Sequence, residues 1–300
     1  MMNKRYPLNL DTARRAANKL KREFLRIPPV RVLQDSAYLQ ALEAHVIDLP
    51  PLDPRDLPIL EGLRRDGVHI VPVESLDLPT TKPMLKALDV LVSELRALHP
   101  NGNNAPRLPL TRLMEFPEVY LWGLDERLLN LVENHIGLPI RYHGADLRRE
   151  IADGAWTDVR QWHVDAEDHR MFKVIMYLND VAPGGGPFNY ISRRETVDAV
   201  HKLNYGSGFV ADDTVASVVP RDRWLEALGK SRSAVFADTC KVFHRAQPPT
   251  KVERYSITFS WTSTTPVKTY PTMPLTDEAR AAILGKVNAR QRSVLPERDS

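Results

Sequence analysis

Two stretches of this 300-residue chain hold side chains able to do metal chemistry at close spacing. The first is Gln161-Trp162-His163-Val164-Asp165, which reads as the end of a strand over 159–164 running into an acidic turn. Side chains two apart in a strand project to one face, so His163 and Asp165 project together. An imidazole beside a carboxylate makes two adjacent ligands for a divalent metal. The second stretch runs from Asp238 through His244-Arg245 to Glu253-Arg254-Tyr255-Ser256, and His244 can add a second imidazole from a different strand. Two histidines and one carboxylate form the facial set that holds non-haem Fe(II) and leaves coordination positions open. By the same parity Arg254 and Ser256 share a face, and a permanently charged planar fork beside a hydroxyl suits a ligand carboxylate. The plainer alternative for Arg254 is a surface ion pair with Glu253.

Other residues compete for roles near this set. Gln161 shares the face of His163 and either orients a ligand or lines the interior. Glu167, Asp168 and His169, beyond the first stretch, read as a solvated turn. His143 is the main rival imidazole, but no partner is spaced from it as Asp165 is from His163, so it reads as structural.

The elements that must position these residues fall into two textures. Up to about residue 137 the chain reads as helical. Asp11 caps an amphipathic helix carrying Ala13, Ala16, Ala17, Leu20 and Phe24, and Ser36 caps another through residue 49. Six of the 24 prolines fall between Pro28 and Pro58, which predicts short helices separated by turns. A helix over 57–65, ended by Asp66-Gly67, precedes an extended run over 68–73, and further helices are predicted over 83–98 and 125–135. From residue 140 the pattern turns to short β-rich runs over 140–142, 159–164, 172–178, 188–191, 234–237 and 255–261, separated by turn signals such as Asn179-Asp180 and Pro183-Gly184-Gly185-Gly186-Pro187. Strands this close together, and this rarely followed by a helix, suit an antiparallel sandwich or barrel rather than a βαβ sheet. Residues 195–228 read as a helical insertion whose His201, Tyr205 and Trp224 either line a pocket or pack as core.

Composition bounds the rest. With 43% apolar and 26% charged residues the chain is globular, and no apolar run approaches the ~18 residues of a membrane helix. The basic N-terminus lacks the apolar segment of a secretory signal, so a cytoplasmic location is expected. The single cysteine, Cys240, rules out an internal disulfide and a cysteine-rich metal site. The net charge of +3 is uneven: residues 1–31 carry nine basic and two acidic residues, leaving 32 basic and 36 acidic residues for the remainder. The surplus is therefore local to one end, no aromatics interleave with it, and a nucleic-acid partner is not expected.

Taken together, Trp162-His163-Val164-Asp165, then Tyr177-Leu178-Asn179-Asp180-Val181, Gly186-Pro187, Asp238, His244-Arg245, Arg254 and Ser256 resemble the phytanoyl-CoA dioxygenase-like family of Fe(II)/2-oxoglutarate-dependent oxygenases over residues 159–261, with weaker likeness at 63–73. The resemblance implies a mainly β core, a double-stranded β-helix or jelly-roll of cupin type, with an N-terminal helical cover, α+β overall. As one domain over 1–300 this divides into a cover (1–137), a core (138–265) with its insertion (195–228), and a C-terminal extension (266–300). It implies Fe(II) on His163, Asp165 and His244, with 2-oxoglutarate held by Arg254 and Ser256, and Tyr177 and Lys173 placed against it. Tyr177 reads equally as a core aromatic with a paired hydroxyl. Relatives that halogenate carbon replace the carboxylate at Asp165, so its presence implies hydroxylation, or a related oxidation, with O2 and with 2-oxoglutarate converted to succinate and CO2. The substrate class is a small molecule: CoA-linked, carrier-linked, a free amino acid or a secondary metabolite. Two alternatives use the same ligands, a zinc hydrolase and a non-catalytic metal-binding β-barrel protein. Oligomeric state is not readable from the chain.

Overall fold

The computed structural model describes residues 28–296. The helix expected after Asp11 lies outside them. The chain divides into two compact units, Met1–Asp48 and Leu49–Ser300. In the described part of the first, α1 (Pro28–His45) is followed by a 3-10 turn, Val46–Asp48. The helix expected to begin at Ser36 thus begins eight residues earlier and carries Ser36 in its interior. Its two leading prolines sit where a helix leaves its first N–H groups unpaired, so they open it rather than break it.

The second unit begins with α2 (Leu57–Arg65), which Asp66-Gly67 ends as expected, Gly67 lying at φ +80°. β1 (Val68–Pro72) follows, then α3 (Thr81–Ala97), the short α4 (Leu110–Met114) and α5 (Pro117–Trp122), and α6 (Glu126–Ile136). Asp125 caps α6 by accepting from the Arg127 amide at 3.1 Å, and Gly137 at φ +81° closes it. β2 (Ile140–Glu150), β3 (Phe172–Tyr177) and β4 (Phe188–Tyr190) lead to α7 (Arg193–Lys202) and α8 (Asp212–Ala216). The chain continues through β5 (Leu225–Ala227), β6 (Ser233–Ala237), β7 (His244–Ala246) and β8 (Arg254–Ser263) to α9 (Asp277–Leu284) and α10 (Ala289–Ser293).

The strands form two antiparallel sheets, one of five in the order β1-β6-β3-β8-β2 and one of three in the order β5-β4-β7. With the helices this makes an α+β architecture. The central strand β8 shows how the large sheet is built. Its odd positions from 255 to 261, Tyr255, Ile257, Phe259 and Trp261, are apolar, and its even positions are Arg254, Ser256, Thr258, Ser260 and Thr262. Period-two alternation sends the two sets to opposite faces. The apolar face packs under the helices, where Trp122 of α5 meets Phe259 at 4.5 Å between ring centroids and His135 of α6 meets Phe172 at 5.6 Å. The polar face looks toward the small sheet. Between the sheets one end is filled by Val68, Tyr177, Val181, Phe188, Ala227, Val235, Ala237 and Val242, and the other end holds a cavity.

Several expectations need correction. The run 159–164 is not a strand: Asp158–Arg160 is a 3-10 turn, and only Trp162 and His163 make isolated antiparallel bridges, to Val210 and His244. The strand expected over 140–142 continues to Glu150 past a bulge at His143-Gly144, where Gly144 adopts φ +91° and a Cβ would stand 2.7 Å from Met273. The extended run expected over 68–73 does form a strand, β1, which ends at Pro72 and lies at the edge of the large sheet, while Val73 opens a 3-10 turn. The helical reading of 195–228 fails at its end, where Leu225–Ala227 forms β5 and Trp224 only precedes it. Among the described residues no helix is long and apolar enough to cross a membrane.

The packing under the helices is close at Gly123, where an added Cβ would lie 2.3 Å from the Tyr142 ring. That ring is fully buried and stacks on Trp261 at 5.1 Å, so it has nowhere to move. Gly123→Ala should cost about 1–3 kcal/mol by overpacking, read as a lower midpoint in chemical denaturation; an unchanged midpoint would show that Tyr142 can shift.

Candidate metal and carboxylate site

His163 and His244 are brought face to face by backbone pairing. The His163 N–H donates to the His244 carbonyl at 3.0 Å and the His244 N–H to the His163 carbonyl at 2.9 Å. Residues that exchange both bonds stand directly opposite with side chains on the same side, and the two rings lie 4.2 Å apart between centroids. Asp165 is placed by its own N–H donating to Thr239 O at 3.0 Å. Its Oδ1 lies 3.5 Å from His163 Nε2 and 3.8 Å from His244 Nε2. One ligand atom from each of the three residues falls within a 4.8 Å cluster. The strand parity that suggested a shared face for His163 and Asp165 is thus replaced by an isolated bridge and one backbone hydrogen bond, which bring the same side chains together.

The chemistry of the donor set fits a metal. His163 Nδ1 lies 2.9 Å from Gln161 O and His244 Nδ1 lies 3.1 Å from Val242 O. A carbonyl only accepts, so each Nδ1 carries the proton and each Nε2 presents its lone pair to the cluster. Burial, reinforced by the neighbouring His163, pushes the His244 imidazole down to about 3, so it is neutral over the physiological range. Burial pushes the Asp165 carboxyl up, but the Lys173 ammonium and the two imidazoles outweigh it and hold the group well below the usual carboxylate range. Lys173 Nζ bonds Asp165 Oδ2 at 2.6 Å, leaving Oδ1 toward the histidines.

The aromatic surroundings hold the ligands. Phe188 stacks on His244 at 5.4 Å, and Phe209 meets the edge of His163 at 5.3 Å. Arg245, next to His244, lies over Trp162, next to His163, at 4.4 Å, and over Trp156 and Trp224 at 4.5 and 5.3 Å. It donates to Asn189 Oδ1 at 3.0 Å and pairs with Asp212. One guanidinium therefore ties both histidine-bearing segments to the helical stretch after β4.

The three ligand residues line a cavity of about 120 Å³ together with Lys173, Arg254 and Ser256. Arg148, Thr239 and Thr258 add polar lining, and Val159, Ile175, Phe188 and Ala246 add apolar lining. Arg254 is 4% exposed, and its Nη1 donates to Gly186 O in the glycine-rich turn, so it is not a surface ion pair. Gly186 lies at φ +71°, and a Cβ there would stand 2.7 Å from Gln247 O; only glycine brings that carbonyl in. The Arg254 Nε is buried without a partner.

Tyr177 lies outside this lining: its hydroxyl donates to Ala227 O at 2.8 Å and accepts from the Phe188 N–H at 3.0 Å within the apolar end. The acidic turn is not solvated as expected. Asp168 is 8% exposed and accepts from the Ser263 and His169 amides, both at 2.7 Å, while Glu167 bonds Lys268 Nζ at 3.0 Å. Asp238 is buried against His135 Nε2 at 2.9 Å. His201 is exposed, whereas Tyr205 and Trp224 pack around Phe243 and Trp162. His143 has both ring nitrogens 2.8 Å from threonine hydroxyls, those of Thr272 and Thr262. Sequence reasoning missed Arg148 and Glu150. The alternation Asp146, Arg148, Glu150 is the signal that marks them, obscured because the β-rich run ends at residue 142.

No protein-family model matches the chain, and no curated protein matches it in sequence. Solved structures do match. HygX from Streptomyces hygroscopicus, with nickel, 2-oxoglutarate and hygromycin B bound, is 15% identical over 71% of this chain and 88% of its own, with TM-score 0.47. The epimerase SnoN, in complex with Fe3+, alpha ketoglutarate and nogalamycin RO, is 15% identical over 74% and 89%, with TM-score 0.47. EctD from S. alaskensis in its apoform is 14% identical over 69% and 76%, with TM-score 0.49. Likeness at this level assigns neither a family nor a residue's role to this chain.

Burial also sets a pH dependence. It pushes His143, helped by the charges of Arg141 and Lys173, down to about 4, and His244 lower still. The unfolded chain, with histidine near 6.5, takes up these protons first as pH falls. Their contribution to stability is therefore complete above about pH 6.5 and is lost as pH falls toward 4. Denaturation midpoints of the metal-free protein should decline across that window, and His143→Gln should make the decline shallower; an unaltered slope would show that His143 is not held neutral by the fold.

Proposed function

We propose that the chain is a non-haem Fe(II)/2-oxoglutarate-dependent oxygenase that hydroxylates a small organic molecule, built on a double-stranded β-helix. One observation carries the reading: the His163, Asp165, His244 cluster shares its cavity with a buried guanidinium and hydroxyl, Arg254 and Ser256. A hydrolytic zinc site requires the three ligands and a water and gives the second pair no role. A 2-oxo dicarboxylic acid uses both, its 2-oxo acid end at the metal and its far carboxylate on the fork and hydroxyl. Two antiparallel sheets facing each other across a cavity support the β-helix reading.

In this reading iron would be held by His163 and His244 through Nε2 and by Asp165 through Oδ1. Iron with 2-oxoglutarate and O2 supplies an oxidation coupled to formation of succinate and CO2. The chain's own residues do the rest. The Gln161 and Val242 carbonyls fix both ring orientations. Lys173 keeps Asp165 Oδ2 occupied, so the carboxylate would offer a metal one oxygen. Phe188, Ile175, Val159 and Ala246 limit water beside the metal. Arg254, anchored by the Gly186 carbonyl, fixes the cosubstrate's direction.

Mixing metal-free protein anaerobically with ferrous iron and 2-oxoglutarate should give the visible charge-transfer absorption of the chelate, and admitting O2 should yield succinate. Neither signal, with tight binding of zinc alone, would sink the reading in favour of a hydrolase or a binding protein. Asp165→Ala and His244→Ala should each abolish succinate formation. Arg254→Ala should raise the 2-oxoglutarate requirement about tenfold to a hundredfold, the loss expected for a charge-assisted hydrogen bond. An unchanged requirement would remove Arg254 from the site.

A further inference from the structure

On the inward face of the large sheet, β2 and β8 pair so that Arg148 stands directly opposite Ser256 and Glu150 directly opposite Arg254. Glu150 is 2% exposed, and its Oε2 accepts from Arg160 Nε and Nη2 at 3.1 and 2.9 Å. Its Oε1 lies 3.7 Å from Arg148 Nη1 and 3.8 Å from Arg254 Nη2. Neither distance is a hydrogen bond. The carboxylate thus offsets the repulsion between two neighbouring guanidinium groups without saturating their donors.

Those donors are under-used. Arg148 bonds Asp146 through Nη2, Arg254 bonds Gly186 O through Nη1, and the Nε of each is buried with no partner. Both side chains line the cavity, with Ser256 beside them. A buried, unpaired charged donor is destabilising until something accepts from it, and an arginine fork matches a carboxylate.

We infer that Arg148 and Arg254 together grip the far carboxylate of the 2-oxo acid, with Ser256 between them and Glu150 as the positioning residue that holds the two forks side by side. This rests on the cosubstrate reading above. It makes the site selective for a 2-oxo diacid over a 2-oxo acid of the same chain length that lacks the far carboxylate, because the monoacid leaves the donors of a buried fork, Arg254, and of a half-buried one, Arg148, without an acceptor.

The test follows the anaerobic charge-transfer absorption of the Fe(II)-loaded full chain during titration with 2-oxoglutarate and, separately, with 2-oxopentanoate. Arg148→Met should raise half-saturation by 2-oxoglutarate at least about tenfold and leave that for 2-oxopentanoate at the wild-type value. Glu150→Gln should raise the first and not the second, although it touches no ligand. Iron loading should match wild type in both variants. Unchanged half-saturation by 2-oxoglutarate in Arg148→Met, or an equal loss for both acids, overturns the inference. If Arg148→Met does not fold, Arg148→Lys decides: it keeps the charge and loses the fork, so a raised half-saturation for the diacid alone supports the clamp and wild-type behaviour overturns it. Absence of the absorption in the wild-type chain overturns the cosubstrate reading, and the clamp with it.

Discussion

Two backbone hydrogen bonds, exchanged between His163 and His244, are the constraint on which the site depends. They form outside any regular strand on the His163 side, as an isolated bridge between the end of a 3-10 turn and β7. A bridge of this kind sets side-chain direction as firmly as a ladder does, because two residues that exchange both bonds must present their side chains together. Without a second rung it is easily lost, and the surroundings compensate. Asp165 adds one backbone bond to Thr239, Val210 bonds Trp162, and Arg245 packs across Trp162. The indoles and the guanidinium brace the bridge from the flanking positions, leaving the histidines free for a ligand.

The large sheet resolves a conflict that the site creates. A cavity with a charged lining needs polar side chains on the inner face of its strands, and a sheet needs apolar burial to be stable. β8 meets both demands by alternation, with Ile257, Phe259 and Trp261 under the helices and Arg254, Ser256 and Thr258 toward the cavity. The helices before β2 complete the arrangement, since through Trp122 and His135 they supply the apolar partner that the inner face cannot. Tyr177 marks the border on β3. Its ring belongs to the apolar end and both functions of its hydroxyl are taken by backbone, while Lys173, four residues earlier on the same face, reaches Asp165.

Much of this is legible in the chain where local signals and burial agree. α2 falls on the residues that periodicity and Asp66-Gly67 mark, α6 on those bounded by Asp125 and Gly137, and the apolar cores of β3, β6 and β8 on their β-rich runs. The cluster of His163, Asp165 and His244 is legible too, although through the wrong element, since a period-two argument happens to agree with what a bridge and one backbone bond produce. What stays hidden is decided by distant partners. The charged run Asp146 to Glu150 does not read as a strand because its inward charges are stabilised from outside the run, by Arg160 ten residues on and by Arg107 and Arg254 much farther off. Asp168 reads as solvated because the donors to its carboxylate include the Ser263 amide, 95 residues on. Ser36 reads as a cap because paired prolines before it look like a breaker, whereas at the first turn of a helix they are tolerated.

The arginine and glutamate cluster is hard to explain as a stability device. Buried ion pairs roughly break even against apolar residues of similar volume, since desolvation offsets the attraction. Here the balance is worse than that, because Glu150 Oε1 approaches two guanidinium groups without hydrogen-bonding either, and two buried Nε donors have no acceptor. The same positions on β2 and β8, which share the lining with Ile175 and Phe188, could carry aliphatic side chains and close the cavity. In the proposed clamp, fixed and unsaturated forks around an open space hold positive potential for a carboxylate, which on binding needs no reorganisation of the forks. On the proposed clamp, the energetic deficit of the ligand-free cluster and the selectivity of the filled one are the same quantity, held as unpaired donors until a carboxylate accepts from them.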